Sequence, residues 1–144
     1  MCPIFEIETG TEYLDYRTDV AIVGYPQGIG PIVTRGHISG IDMLEWDREA
    51  FVTTAQSAPG TSGGPVIDLK TGRIIGMLRA VLVSQPSGQL LTWCSIVTPA
   101  ARIQKFMGEY FAGSYPHYIK TAETSRGVSF STKGDFFVFY PSAE

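Results

Sequence analysis

The stretch Pro59-Gly60-Thr61-Ser62-Gly63-Gly64-Pro65 sets one serine hydroxyl among three glycines. Glycine adopts backbone angles that other residues resist, so a glycine-flanked turn is sharp enough to gather its own N–H groups beside a side chain. Acyl transfer needs that arrangement: a nucleophilic oxygen next to donors that hold a developing oxyanion. On this reading Ser62 is the nucleophile, and the N–H groups of Gly60 and Ser62 are the donors. The competing reading is a tight turn carrying a solvated serine.

On both sides of this loop the chain reads as short strands. Residues 20–25 are apolar and β-branched, and they end in Pro26-Gln27-Gly28, a turn signal. Residues 31–41 form a longer run in which Gly36 and Gly40 mark bulge or twist points. Residues 51–55 and 65–69 are two further runs, and Lys70-Thr71-Gly72 turns the latter into a run over 73–82. A polar loop at 84–89 leads to the sixth run, 90–98. Beyond it the period changes. Ile103, Phe106, Met107, Tyr110 and Phe111 recur at helical spacing. Thr98 is positioned to cap that helix, Pro99 to occupy its first turn and Gly113 to end it. In the tail, residues 128–131 alternate, Lys133-Gly134-Asp135 turns, and 136–140 run back as a hairpin rich in Phe and Tyr.

The fold expected from this order is all-β: a six-stranded antiparallel β-barrel with a C-terminal helix and an extra terminal β-hairpin. It divides the chain into a leading segment (1–19), the barrel with its helix (20–112) and a tail (113–144). A chain of 144 residues suffices for one core. Its 44% hydrophobic and 17% charged residues are too apolar a mixture for disorder. The net charge is −3, and the eleven basic residues are scattered singly, which argues against nucleic acid as a partner. Glu6, Glu8, Glu12, Asp15 and Asp19 crowd the first nineteen residues against Arg17 alone, the pattern of a solvated leading segment.

No apolar run approaches the length of a membrane span, and the start lacks the regions of a signal peptide. The chain is therefore expected either to stay inside the cell or to belong to something longer. Two cysteines are few, which favours a reducing compartment such as the cytoplasm. Cys94 lies in an apolar run, and spacing alone does not license a Cys2–Cys94 disulfide. No histidine or cysteine cluster has ligand spacing, so no metal and no organic cofactor is expected.

The glycine-flanked serine and its neighbours resemble a known family in one continuous order. Gly60-Thr61-Ser62-Gly63-Gly64-Pro65 resembles the Gly-x-Ser-Gly-Gly-Pro nucleophile loop of trypsin-like serine proteases. Ala21-Ile22-Val23-Gly24-Tyr25-Pro26-Gln27-Gly28 is similar to the strand and turn that open the second barrel of the HtrA-like branch. Val33-Thr34-Arg35-Gly36-His37-Ile38-Ser39-Gly40 resembles its next strand, Ile74-Ile75-Gly76-Met77 the strand after the nucleophile, and Ile96-Val97-Thr98-Pro99 the strand that enters the helix. The resemblance runs over roughly residues 20–111, the C-terminal barrel half of such a protease.

It implies a peptide-bond hydrolase with Ser62 as nucleophile and Gly60 leading the oxyanion hole. Leu78, Arg79 and Ala80 would lie on the strand that pairs with a substrate backbone. Gln56 would sit near the floor of the primary specificity pocket. Thr61 replaces the aspartate of digestive trypsins, which implies no activation by cleavage. The partner would be a polypeptide substrate or peptide ligand.

In this family the base and its orienting acid come from a first barrel, and 61 residues before Ser62 are too few for one. His37, His117 and Asp19 are weak stand-ins. Three alternatives stay open: a half that needs a complementary N-terminal protease half, an inactive barrel that binds peptides or proteins, or a homo-oligomer in which His117 reaches across.

Overall fold

The computed structural model describes residues 6–84, 87–111, 130–131 and 137–138. The chain forms two compact units, Met1–Gln104 and Lys105–Glu144. Within the first, six strands close an antiparallel barrel: β1 (Asp19–Gly24), β2 (Ile32–Ile41), β3 (Phe51–Thr53), β4 (Pro65–Asp68), β5 (Ile74–Val83) and β6 (Leu90–Pro99). They are hydrogen-bonded in the order β1-β2-β3-β6-β5-β4, and β4 returns to β1. All six expected strands are present, each within two residues of its expected ends. Helix α1 (Ala100–Phe111) follows directly. In the second unit β7 (Phe130–Ser131) pairs antiparallel with β8 (Phe137–Val138), as the hairpin reading required.

Alternation along the strands builds two apolar layers. Val20 and Ile22 of β1, Ile38 of β2, Phe51 of β3, Val66 of β4, Ile75 and Leu78 of β5 and Val97 of β6 form the main core. One residue off, Val52 and Ile96 face the other side of the sheet and pack with Leu44 and Ala50, partly covered by Ala80, Leu82 and Cys94. The loop between β2 and β3 thus lies over β3, β6 and β5. A bulge falls between Ile38 and Gly40 of β2, in the region where the glycines lead one to expect it. Gly36 serves close packing instead, since a Cβ there would run into the backbone of Ala55.

Three expectations change. Thr98 does not cap α1, because it lies within β6 with its hydroxyl buried and without a partner among the described residues. Pro99 is the last residue of β6, and the helix starts one position later. The leading segment is not merely solvated. Ile7 bridges to Ile74, with Glu8 N–H donating to the Ile74 carbonyl and Ile74 N–H to that of Glu6, both at 2.9 Å. Arg73 binds the carboxylates of Glu6 and Glu8 at 3.0 and 2.8 Å. Tyr13 enters the main core at 5% exposure, its ring tilted on Phe51 at 5.7 Å.

Burial, aided by the charge of Glu8, pushes the Tyr13 phenol up to about 12. The fold therefore prefers the neutral phenol, while the unfolded chain ionises near pH 10. Unfolding free energy should fall as pH rises from about 10 to about 12, by up to about 3 kcal/mol. Urea unfolding across that range checks it, with Tyr13→Phe expected to remove the fall.

Gly113 and His117 lie outside the described residues, as does Cys2; Cys94 is a half-buried free thiol. No helix among the described residues is long and apolar enough to cross a membrane.

Candidate active site

The loop before β4 is held by its own backbone. Thr61 N–H donates to the Ala58 carbonyl at 3.0 Å, and its buried hydroxyl donates to the same oxygen at 2.7 Å while accepting from Ala58 N–H at 3.2 Å. Gly64 N–H returns to the Thr61 carbonyl at 3.0 Å. These bonds make the tight loop that the glycines only permitted; the resemblance marked Thr61 only as a departure from an aspartate, whereas here it is the residue that ties the turn. Its signal was a β-hydroxyl three residues after Ala58, where it can bond back to its own turn.

Two further sets of contacts orient the loop. On one side Gln27 N–H donates to the Pro59 carbonyl at 3.1 Å. Gly60 lies at φ 97°, and a Cβ there would stand 2.8 Å from Gln27 N and 2.9 Å from the Tyr25 carbonyl. Only glycine fits. On the other side Gly63 N–H donates to the Leu78 carbonyl at 2.7 Å, and Leu78 N–H to that of Gly64 at 2.9 Å. The Pro26–Gly28 turn, the Ser62 loop and β5 are thus one hydrogen-bonded layer.

Within that layer Ser62 is exposed, and its hydroxyl makes no hydrogen bond among the described residues. The N–H groups of Gly60 and Ser62 are likewise without an acceptor among the described residues, whereas those of Thr61, Gly63 and Gly64 are all engaged. The two donors left over are those an oxyanion would need. Beside Ser62 opens a cavity of about 90 Å³, lined by Ser57, Ala58, Leu78, Ala80, Val81 and Leu90 among others. Its volume is that of about three waters, and none of the described side chains that line it is charged.

Gln56 is not among the residues that line this cavity. Its side chain is exposed, and its carbonyl accepts from the Thr34 hydroxyl at 2.7 Å. The neighbouring Ser57 lines it instead, buried and bonded to Ser95 at 2.8 Å.

Of the strand residues Leu78–Ala80, Leu78 has both backbone groups occupied by the Ser62 loop. Among the described residues, the edge of β5 facing β4 is unpaired only beyond it, since β4 begins at Pro65 opposite Met77. Arg79 turns its guanidinium into a buried ion pair with Asp47 at 2.9 Å.

Asp19 and His37 are brought together, but elsewhere. They face each other at the start of β1, whereas Gly24 at its other end abuts Thr61. Five residues of strand, about 16 Å, separate them from the loop. Asp19 lines a larger cavity of about 740 Å³ between the leading segment and the β4–β5 turn, and His37 Nδ1 lies 3.3 Å from the Thr54 hydroxyl. Among the described residues no imidazole is placed beside Ser62, and no three His, Cys, Asp or Glu side chains are placed to hold a metal ion.

The sequence profile of the trypsin-like peptidase domain matches residues 3–77. No curated protein matches the chain in sequence. Among solved structures, the HtrA-type protease AlgW with a tripeptide is similar at 18% identity and a TM-score of 0.64, over 93% of this chain and 49% of that one. AlgW with a decapeptide gives 23% and 0.63, over 76% and 34%. A serine endoprotease from Yersinia pestis gives 22% and 0.58, over 74% and 35%. At these identities the likeness is one of fold, and the chain spans a third to a half of the length of these structures.

Proposed function

Because the chain belongs to the trypsin-like peptidase domain family, we propose that it is the nucleophile-bearing half of a serine endopeptidase site. The observation that carries this reading is the pair of N–H groups, Gly60 and Ser62, that lack an acceptor among the described residues beside an exposed serine hydroxyl, on a loop whose Thr61, Gly63 and Gly64 N–H groups are all engaged. A peptide would lie extended against β5 beyond Leu78 and seat a small aliphatic side chain in the uncharged 90 Å³ cavity. Ser62 Oγ attacks the scissile carbonyl carbon as an imidazole takes its proton. The oxyanion is held by the two N–H groups. The imidazole then protonates the departing amine, and water releases the acyl group by the same steps.

The imidazole and its orienting carboxylate come from polypeptide beyond the described residues: a complementary N-terminal half, or a second copy. Tyr25, Ile29 and Val33 expose large apolar surface on and next to the turn that braces Gly60, and such a partner would cover it. A serine without its base retains little reactivity. One observation favours a second reading, a peptide-binding module without catalysis: no imidazole stands beside Ser62 among the described residues.

Labelling with a fluorophosphonate probe separates the two. With free imidazole supplied as a surrogate base, labelling should quicken at least about tenfold, map to Ser62 by mass spectrometry, and vanish in Ser62→Ala. Labelling that is no faster than in Ser62→Ala at any imidazole concentration removes the peptidase reading and leaves the binding module.

A further inference from the structure

In the register of β5 against β6, Leu78 faces Val97 and Ala80 faces Ile96, so Arg79 is the extra residue of a β-bulge. A bulge re-aims the strand that follows it, and here the following residues, Ala80 and Val81, line the cavity beside Ser62. The residue before it, Leu78, exchanges both backbone hydrogen bonds with the Ser62 loop. Whatever sets the bulge therefore sets the peptide edge relative to the nucleophile.

Contacts from outside the strand hold it. Arg79 Nη1 lies 2.9 Å from Asp47 Oδ2, and the Trp46 ring centre lies 5.1 Å from Arg79 Cζ. Asp47 is fixed in turn by Arg102 at 2.7 and 3.0 Å and by Ala50 N–H at 3.2 Å. Arg79 Nη2 is buried without a partner among the described residues. A buried orphan donor disfavours a side-chain position unless a stronger contact imposes it, and the ion pair with Asp47 is that contact. The β2–β3 loop thus grips the bulge through one guanidinium.

We infer that Arg79 is a positioning residue: clamped between Asp47 and Trp46, it holds the bulge that aims the Ala80–Val81 edge so that a bound peptide reaches Ser62. This rests on the peptide-binding reading above. The test measures binding of an acetylated, amidated Ala/Val hexapeptide by calorimetry, in a Ser62→Ala background that prevents turnover, alongside melting temperature. Arg79→Met should raise Kd at least about tenfold. Arg79→Lys, whose ammonium still pairs with Asp47, should stay within about threefold of the parent, a rescue that bulk alone does not predict. A folded Arg79→Met that binds as tightly as the parent overturns the inference and leaves imidazole-dependent labelling of Ser62 untouched. A parent that binds no peptide overturns both. Should Arg79→Met not fold, Trp46→Ala decides, because its exposed ring is removable without opening the core. A Kd raised about threefold or more supports the clamp, and an unchanged Kd ends it.

Discussion

Gly64→Ala should cost the barrel at least about 3 kcal/mol and lower its melting temperature by at least about 12 °C. A Cβ at this position would run into the Val23 carbonyl and stand 3.0 Å from that of Thr61. Both neighbours are backbone, so no side chain can rotate away. Val23 is held in β1 opposite Val33, and Thr61 is locked by three hydrogen bonds to Ala58. Gly63→Ala supplies the control. That residue has φ 88° with nothing within 4 Å of an added Cβ, so the expected cost is only the left-handed strain, about 1–2 kcal/mol. Equal losses in thermal unfolding of the two variants would refute the close-approach argument.

Asp47→Ala should destabilise by about 3–5 kcal/mol at neutral pH, because it takes away the buried carboxylate that Arg79 and Arg102 share, while Arg102 keeps its bond to exposed Glu49. The Asp47 side chain is 1% exposed, with Arg79 and Arg102 on it at 2.9 and 2.7 Å. Burial pushes its carboxyl up, but the hydrogen bonds and charge of Arg102, the Ala50 N–H and Arg79 outweigh that and hold it below the ordinary carboxylate value. A group depressed in the folded state stabilises above its unfolded value, near pH 4, and the contribution disappears as pH falls through the lower folded value. Urea unfolding of the parent and Asp47→Asn should therefore differ most near neutrality and converge as pH drops below about 4. A difference that stays constant with pH would remove the ion-pair account.

The barrel was legible because its strands declare themselves locally. Val20 and Ile22, or Ile96 and Val97, are β-branched residues between turn signals, and Ile103 to Phe111 changes period where the helix begins. Ser62 was legible for the same reason: glycines on both sides of one hydroxyl form a local pattern. Thr98 misled because a residue beside a helix start looks like a cap whether or not its strand has ended, and here pairing with Met77 keeps it in β6. Tyr13 was hidden among acids that occupy the surface around it.

Sequence by itself determined the order of elements, the class of the fold and the serine that a glycine turn presents, since each depends on residues within a few positions of one another. Tertiary structure alone decided which N–H groups are left without acceptors among the described residues, that Leu78 is already occupied, that Asp19 and His37 meet at the end of β1 away from the Ser62 loop, and that Asp47 reaches Arg79. Those facts join residues up to about thirty positions apart in the chain, and only strand register and barrel closure bring such residues within the few ångströms over which hydrogen bonds and buried charges act.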